Sequence, residues 1–144
     1  MIRSLLALVL LLASSLAAAA EFRAVAEPAV FYDAPTLRGK KLYVAPKGMP
    51  VEVVVSIEGW FKVRDRTGDL MWIERKAVTD KRTVVVSGAV AQLRDKPEDE
   101  AKLVLEAAQD VSLDLVEAPN AGWAKVRHRD GVVVYVKVGQ VWGL

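Results

Sequence analysis

An internal repeat constrains the fold of this chain more than any other feature of the sequence. The segment GWFKVRDRTGDLMWIE at residues 59–74 returns as GWAKVRHRDGVVVYVK at residues 122–137, 63 positions later and without a gap. The two segments are identical at 7 of their 16 positions, and Trp72 is matched by Tyr135. Self-similarity at one spacing indicates duplicated structural units. We therefore predict two small domains of similar fold, at residues 21–82 and 83–144.

The first twenty residues have a different composition from the rest of the chain. Arg3 supplies a positive charge, residues 5–12 form an unbroken apolar run, and Ala18–Ala20 offers small residues for cleavage. This order is typical of a secretory signal peptide. A transmembrane anchor is disfavoured, because a span needs about 20 apolar residues. Residues 1–20 are predicted to be removed, which places a mature chain without a membrane span in the periplasm or outside the cell.

Charge and cysteine content exclude several classes of function. Of the 20 Lys and Arg residues only Arg3 lies in the predicted signal peptide, so 19 remain against 18 Asp and Glu. Such a balance gives no long-range attraction for nucleic acid. The absence of Cys excludes disulfides, thiolate catalysis and Cys-based zinc sites. Domains of about 60 residues are marginally stable, so we expect the two copies to pack on one another or on a partner.

Alternating apolar residues separated by turn signals predict short β-strands in both copies. In the first copy, strands are predicted across Phe22–Val30 and at Leu42–Ala45, Val51–Val55, Trp60–Arg64 and Leu70–Glu74. The second copy is expected to follow the same order. About five short strands in each copy are the pattern of a small barrel or sandwich.

Two segments of the second copy are predicted from their alignment with the first copy. Residues 97–110, PEDEAKLVLEAAQD, have helical propensity, but the repeat aligns them with residues 35–48, a loop followed by a strand. Tertiary context commonly overrides local propensity, so we predict the loop and the strand. The segment Glu117–Ala121 is predicted to be a loop one residue longer than its counterpart in the first copy.

Two copies of GWxKVR, each followed by Gly and an aromatic–aliphatic pair, resemble bacterial SH3-like (SH3b) domains. The whole arrangement resembles the tandem SH3-like proteins of the bacterial periplasm. The resemblance implies an all-β protein of two small SH3-like β-barrels in tandem after a cleaved signal peptide. It also implies a non-catalytic module that binds peptidoglycan, peptides or other envelope components. The second copy has Leu93-Arg94 where the first has Phe31-Tyr32, so the ligand groove is expected to differ between the copies.

Strand alternation places the tryptophan of each repeat on the face that carries cations. Trp60 shares its face with Lys62 and Arg64, and Trp123 shares its face with Lys125 and Arg127, whereas Val63 and Val126 belong to the opposite, core-facing side. The resemblance adds Trp72, Tyr135 and Tyr32 as further groove aromatics. Flat aromatic rings bind sugars or peptide prolines with little entropy loss, and cations can meet carboxylates. The candidate ligand-binding residues are Tyr32, Trp60, Trp72, Trp123 and Tyr135, with Lys62, Arg64, Lys125 and Arg127 as auxiliary cations.

Simpler interpretations of the same residues stay open. Large aromatics are mostly buried, so Trp60 and Trp123 also fit a structural role, capping each barrel and sealing the interface between the copies. The cations also fit a solvated strand face with neighbouring acids. His128, the only histidine, is expected to be a polar turn residue, and the acidic run at residues 98–100 lacks the pattern of a calcium loop.

The sequence thus predicts an exported, non-catalytic binding module of the cell envelope that recognises peptidoglycan or its peptide stems. The alternative is a periplasmic interaction or assembly module that binds an extended segment of another periplasmic protein or a copy of itself. A hydrolase is disfavoured, because two small modules leave no length for a catalytic domain. We predict no catalytic residue, no metal, no cofactor and no nucleic-acid partner.

Overall fold

The computed structural model describes residues 19–144, and two β-sheets account for most of that range. Residues 1–18, which hold most of the predicted signal peptide, lie outside the described residues. The strands of the first module are β1 (Glu21–Val25), β2 (Ala29–Tyr32), β3 (Lys41–Ala45), β4 (Pro50–Ile57), β5 (Trp60–Arg64), β6 (Leu70–Glu74) and β7 (Val78–Thr79). Those of the second module are β8 (Thr83–Val86), β9 (Val90–Arg94), β10 (Leu103–Ala108), β11 (Ser112–Asn120), β12 (Trp123–Arg127), β13 (Val133–Lys137) and β14 (Val141–Trp142).

Helix is almost absent from the part of the chain that the structure describes. The two helical pieces in this range are single 3₁₀ turns, at Arg75–Ala77 and Val138–Gln140, in equivalent positions of the two modules. None of the described residues forms a helix long and apolar enough to cross a membrane. The predicted all-β fold class is confirmed.

The two sheets repeat the same antiparallel strand order. The first runs β3-β2-β6-β5-β4-β1-β7 and the second runs β10-β9-β13-β12-β11-β8-β14. The predicted barrels are not closed in the structure, because β3 and β7 are edge strands that do not pair with each other. A closed barrel needs a continuous hydrogen-bonded ring, and β7 has only two residues, both paired with β1. Each module is therefore an open sheet that coils around its own core.

Each coiled sheet encloses one hydrophobic core. Val63 and Val126 are fully buried in their respective cores, as the alternation predicted. The first core takes its buried side chains from six of its seven strands, and the second core takes them from all seven. The first cluster consists of Val25, Phe31, Ala45, Val51, Phe61, Val63, Met71 and Ile73. The second consists of Val84, Val86, Ala91, Leu93, Ala107, Leu113, Ala124, Val126, Val134, Val136 and Val141.

Two segments of the chain show how tertiary pairing decides between local signals. The single strand predicted across Phe22–Val30 is wrong: β1 ends at Val25 and β2 begins at Ala29. Pro28 in the gap has no backbone N–H to donate, and the N–H of Ala26 donates to the carbonyl of Ala77 instead. Residues 97–110 form a loop followed by β10, so the repeat is confirmed over the helical propensity.

The extra residue of the second copy lies inside a strand. The loop predicted at Glu117–Ala121 is wrong, because β11 continues to Asn120 and only Ala121 and Gly122 form the turn, both with positive φ. The register steps from Glu117 opposite Lys125 to Asn120 opposite Trp123, three residues against two. This is a β-bulge, which takes up one residue while the tight hairpin turn is kept.

The two modules pack directly on one another, which compensates for the limited surface that each small core can bury alone. The rings of Phe22 and Trp142 meet edge to face with centroids 5.1 Å apart. The Thr83 hydroxyl donates to the carbonyl of Gly48 at 2.7 Å. Since the aromatic pair that joins the modules is Phe22 with Trp142, sealing of the interface by Trp60 and Trp123 is not supported.

Substitution of Gly143 tests this interface. Gly143 has φ 115°, and a Cβ there would lie 3.0 Å from the backbone carbonyl oxygen of Thr83 and 3.2 Å from the Cβ of Pro50. Gly131→Ala is a matched control, because Gly131 also has positive φ but no atom within 4 Å of its added Cβ. We expect Gly143→Ala to lower the free energy of unfolding by about 1–3 kcal/mol more than Gly131→Ala, measured by urea denaturation. Equal losses would show that Gly143 is not tightly enclosed.

Candidate functional site

The first module carries an aromatic row on the face of its sheet that points away from the core. Along β5, half-buried Trp60, Lys62 and Arg64 alternate with buried Phe61 and Val63. In register, Lys62 lies opposite Trp72 on β6. Trp72 in turn lies opposite Tyr32 on β2. Cross-strand neighbours on one face are close enough to interact, so these three side chains form a continuous row.

Tyr32 supports this surface from below. Its ring meets the ring of Trp60 edge to face, with centroids 5.4 Å apart and an interplanar angle of 85°. Tyr32 is only 6% exposed, whereas Trp60 and Trp72 are half-buried and keep part of their ring surface in solvent. We call the surface of Tyr32, Trp60, Trp72 and Lys62 the first outer face. In this surface Tyr32 orients Trp60, and the two tryptophans offer the accessible aromatic area.

A recess of about 370 Å³ lies beside the first outer face. Tyr32 forms one side of it, and Glu74 and Lys76 contribute charged groups. Glu74 lies opposite Trp60 in register and is paired with Lys76 at 3.4 Å. The recess gives a bound molecule room to extend from the aromatic rings toward polar groups.

The second module presents a related but more cationic surface. Trp123, Lys125 and Tyr135 lie at the positions of Trp60, Lys62 and Trp72, and with Arg94 and Lys137 they make up the second outer face. Arg94 occupies the position of Tyr32, and Lys137 the position of Glu74. The Lys137 ammonium lies 5.8 Å from the centroid of the Trp123 ring. The second outer face therefore has no edge-to-face aromatic support for its tryptophan among the described contacts, and a cation takes that role.

Most cations of the two faces already have partners. Arg64 is paired with Glu52 at 3.1 Å, and Lys125 with Glu117 at 3.2 Å. On the second outer face, the Arg94 guanidinium donates to the carbonyl of Ala101 at 2.8 Å. Lys137 contacts Asp99 at 2.6 Å, and the hydrogen bond from its ammonium lowers the pKa of that carboxyl. Arg64, Lys125 and Lys137 are thus paired with acids of their own module, and Arg94 is held by a backbone carbonyl.

Two of the sequence-predicted cations are in a different situation. Neither Lys62 nor Arg127 has a salt-bridge partner within residues 19–144. Lys62 lies between Trp72 and Val55 in register and so belongs to the first outer face. Arg127 is exposed at the end of β12 and lines a separate recess with Arg129. The structure therefore brings Lys62 to the aromatic row, whereas Arg127, in phase with Trp123 and Lys125 on β12, lies at the far end of that strand beside a separate recess.

The lone histidine lies in a turn. The N–H of Asp130 points to the Nδ1 atom of His128 at 3.4 Å, and the Asp130 carboxylate lies 3.1 Å from the same atom. The pKa of Asp130 is lowered, chiefly because the N–H of Val132 donates to its carboxylate. Within the described residues, no three His, Cys, Asp or Glu side chains come together as a possible metal site. His128 is a polar turn residue.

A further cavity, between the modules, was not predicted from the sequence. It has a volume of about 370 Å³, and we call it the inter-module pocket. Its walls come from Tyr43, Val44, Pro46, Met49, Pro50, Asp65, Arg66 and Thr67 of the first module and from Val85, Asp110 and Ser112 of the second. The pocket exists only because the two copies pack together, and no spacing within one copy signals it.

The polar side of the inter-module pocket is organised around Asp65. Its side chain accepts hydrogen bonds from the backbone N–H of Thr67 at 2.9 Å and of Asp69 at 3.0 Å, and from the Tyr43 hydroxyl at 3.2 Å. Partial burial of the phenol hydroxyl, and then the negative charge of Asp65, raise the pKa of Tyr43 above its usual range. Across the modules, Arg66 is paired with Asp110 at 2.8 Å. The pocket thus joins an apolar wall to an acidic rim.

The tyrosine ionisation gives a test of this geometry. The pKa of Tyr43 is higher in the folded chain than in the unfolded chain, so its stabilising contribution is complete below the unfolded pKa of about 10 and is lost as the pH rises further. We expect the free energy of unfolding to fall above pH 10, and Tyr43→Phe to flatten that fall. Urea denaturation between pH 8 and 11 measures both. An unchanged slope in the variant would contradict the assignment.

The structure thus shows two coiled antiparallel sheets in tandem, each with an aromatic outer face, and the sequence comparison agrees. The family described as the bacterial SH3 domain matches residues 25–80 and again residues 87–143. The chain belongs to the bacterial SH3 domain family and contains two copies of the domain. The resemblance drawn from the repeated GWxKVR motif is confirmed.

Three solved structures are similar to the chain at low identity and low TM-score. NlpC2 from Trichomonas vaginalis shares 13% identity over 86% of this chain and 48% of its own, with a TM-score of 0.39. NlpC1 from the same organism shares 13% over 90% and 48%, with a TM-score of 0.38. An NlpC/P60 family protein from Bacillus cereus shares 18% over 84% and 55%, with a TM-score of 0.37. The chain spans about half the length of these proteins, and no curated protein sequence matches it significantly.

Proposed function

We propose that this protein is a non-catalytic binding module of the cell envelope that recognises peptidoglycan or its peptide stems through the first outer face. The observation that carries the proposal is the row of Tyr32, Trp72 and Lys62 with Trp60 packed on Tyr32. Membership of the bacterial SH3 domain family supports it, because such domains are typically binding modules. We further propose that residues 1–20 are cleaved as a signal peptide and that the protein acts in the periplasm or outside the cell.

The chemistry of the first outer face suits a ligand that is both flat and acidic. The exposed parts of Trp60 and Trp72 offer ring surfaces on which a sugar ring or a short peptide can lie. Lys62 has no acid partner within the described range, so its ammonium is available to a stem-peptide carboxylate. Most ligand pockets combine an apolar surface with a few polar groups in this way. The recess beside Tyr32 gives the rest of the ligand a place to extend.

The two modules are expected to contribute unequally. On the second outer face, Lys137 lies over Trp123, and Arg94 is tied to the carbonyl of Ala101. Lys125 is paired with Glu117, so its charge is already satisfied. A ligand carboxylate would have to displace these partners. We therefore assign the principal site to the first module and an auxiliary role to Trp123 and Tyr135.

Sedimentation with purified, protein-free sacculi tests the proposal. We expect saturable binding of the purified protein that free muropeptides compete away. Incubation without any partner enzyme should release no soluble muropeptide, because the proposed role is binding without catalysis. Absence of binding would remove the wall as the ligand, and steady muropeptide release would overturn the non-catalytic assignment.

A second candidate function is protein interaction in the periplasm, and one observation favours it. Strand β3 is a sheet edge, and Leu42, Tyr43 and Val44 on it are all exposed. Edges of this kind can pair with an extended segment of another chain. Binding to an envelope extract that disappears after protease treatment, while binding to sacculi is absent, would select this function over the first.

A further inference from the structure

The edge strand β3 presents three consecutive exposed apolar residues, Leu42, Tyr43 and Val44, beyond Lys41 and a bulge at its start. Four of its five residues are exposed, and Val44 is 60% exposed. Natural edge strands are commonly shielded by charges, bulges or covering segments, because their free backbone groups attract other chains. In the second module, the equivalent strand β10 carries Glu106 at the position of Val44. The first module thus lacks a charge that its own copy has at this place.

The inter-module pocket opens directly beside this edge. Tyr43 and Val44 of β3 are part of its wall, and Val85 and Ser112 of the second module close its other side. Its lining is mainly apolar, with Met49 and Pro50 on the first module. A strand added alongside β3 would therefore run past the mouth of the pocket. Alternate side chains of that strand would face the pocket, since successive side chains of a strand point to opposite sides.

The rim of the pocket carries more negative than positive charge. Asp65 and Asp110 are lining residues, and Asp69 is close enough to Tyr43 that its charge helps to raise the pKa of that phenol. Arg66, paired with Asp110, is the only cation among the lining residues. The two lining carboxylates, with Asp69 near Tyr43, outnumber the single lining guanidinium and favour a cationic group at the mouth.

We propose that β3 and the inter-module pocket form a docking site for an extended polypeptide segment that carries a basic side chain. The segment adds to the first sheet as an eighth strand, beyond β3. Its basic side chain lays the apolar stem against Met49 and Pro50 and places its cation between Asp69 and Asp110. This inference rests on the second proposed function and names the surface and the partner chemistry for it. It leaves the first outer face free.

The occupant is inferred from charge and from shape together. The exposed edge of β3 favours a polypeptide in extended form, because an extended backbone can pair with the N–H and C=O groups along that edge. The acidic rim then selects a basic segment over an acidic or neutral one. Pairing of β3 with the β3 of a second copy is the competing occupant, and the test below separates it.

Three labelled peptides of equal length provide the test. The first is a fluorescein-labelled octapeptide of alternating valine and lysine. The second has glutamate in place of lysine, and the third is the lysine peptide with alternate amides N-methylated so that they cannot donate. Fluorescence anisotropy with the purified protein should show saturable binding of the lysine peptide. We expect each of the other two to bind at least about tenfold more weakly, since one loses charge complementarity and the other loses strand pairing.

Matched variants locate the site on the protein. Asp69→Asn/Asp110→Asn removes two charges, and Asn is suited to the positive φ of 69° at position 110. It should weaken the lysine peptide about tenfold, whereas Glu98→Gln/Glu100→Gln, an equal charge change on an exposed loop, should leave it unchanged. Val44→Lys should abolish binding, and Glu106→Lys at the equivalent position of β10 should not.

The outcomes separate this inference from the wall-binding proposal. Equal binding of the lysine and glutamate peptides, full binding of the N-methylated peptide, or no binding of any peptide would each overturn the docking site. A dimer in sedimentation velocity that Val44→Lys dissociates would assign β3 to a second copy instead. Val44→Lys should keep full binding to sacculi, so loss of peptide binding alone leaves the first outer face unaffected.

Discussion

Replacing Phe31 with alanine is expected to lower the free energy of unfolding by about 3–5 kcal/mol. Phe31 is fully buried in the core of the first module, and its ring packs against Tyr43 with centroids 5.0 Å apart. Removing the ring leaves a cavity that the surrounding β-strands cannot close by small shifts. A small module has little stability in reserve, so a loss of this size should leave it largely unfolded.

The repeat offers an internal comparison for this substitution. Leu93 occupies the position of Phe31 in the second copy and is also fully buried. Leu93→Ala should cost about 2–5 kcal/mol, and Leu37→Ala, at a 62% exposed position, should cost less than about 0.5 kcal/mol. Urea denaturation followed by tryptophan fluorescence measures all three. A Leu37→Ala variant as unstable as Phe31→Ala would mean that the core is assigned to the wrong side chains.

The effect should also spread from one module to the other. Phe22 and Trp142 pack across the interface, and the Thr83 hydroxyl bonds to Gly48. When the first module unfolds, the second module loses these contacts and its interface surface becomes exposed to solvent. Its own core is small, so its stability falls as well. We therefore expect a single unfolding transition in the unsubstituted protein. Two separate transitions would show that the interface adds little to stability.

Much of the strand layout could be predicted because the repeat and the turn glycines agree. The bounds of β5 and β6 follow from period-two alternation, since β5 begins after Gly59 and β6 begins soon after Gly68. The repeat also decided residues 97–110 correctly, where local propensity favoured a helix. Strand pairing carries more free energy than the preference of single residues, so the longer-range signal prevailed.

Other features of the fold depend on contacts between segments far apart in sequence, which no local pattern can predict. Whether a coiled sheet closes is decided by pairing between its first and last edges, here β3 and β7, which stay apart. The bulge in β11 is set by the register against β12, and the sequence shows only that one residue is extra. The inter-module pocket needs both folded copies before any of its walls meet.

The candidate site shows the same division. Alternation placed Trp60 and Lys62 on one face, which the structure bears out geometrically. It could not show that Tyr32 is nearly buried beneath Trp60, because that contact joins two strands distant in sequence. Nor could it show which cations are paired, since Glu52 and Arg64 meet only through the register of β4 and β5.

Trp60→Ala is expected to weaken binding to sacculi by more than about 30-fold, the loss typical of a central aromatic contact. Trp60 presents half-buried ring surface beside Trp72 and Lys62 and is held in place by Tyr32, so its removal also frees the ring that supports it. Trp123→Ala is the matched control at the same position of the repeat. It should cost less than about fivefold, because Lys137 already lies over that ring and the neighbouring cations are paired.

Binding isotherms from sedimentation with sacculi measure both variants, and near-ultraviolet circular dichroism checks that each remains folded. Lys62→Gln should give an intermediate loss, since it removes only the charge. Lys125→Gln should give none, because Lys125 already pairs with Glu117. Equal losses for Trp60→Ala and Trp123→Ala would mean that the two outer faces bind alike, and that the pairing of cations does not decide which module holds the ligand. A folded Trp60→Ala variant with full binding would remove the first outer face as the wall-binding site.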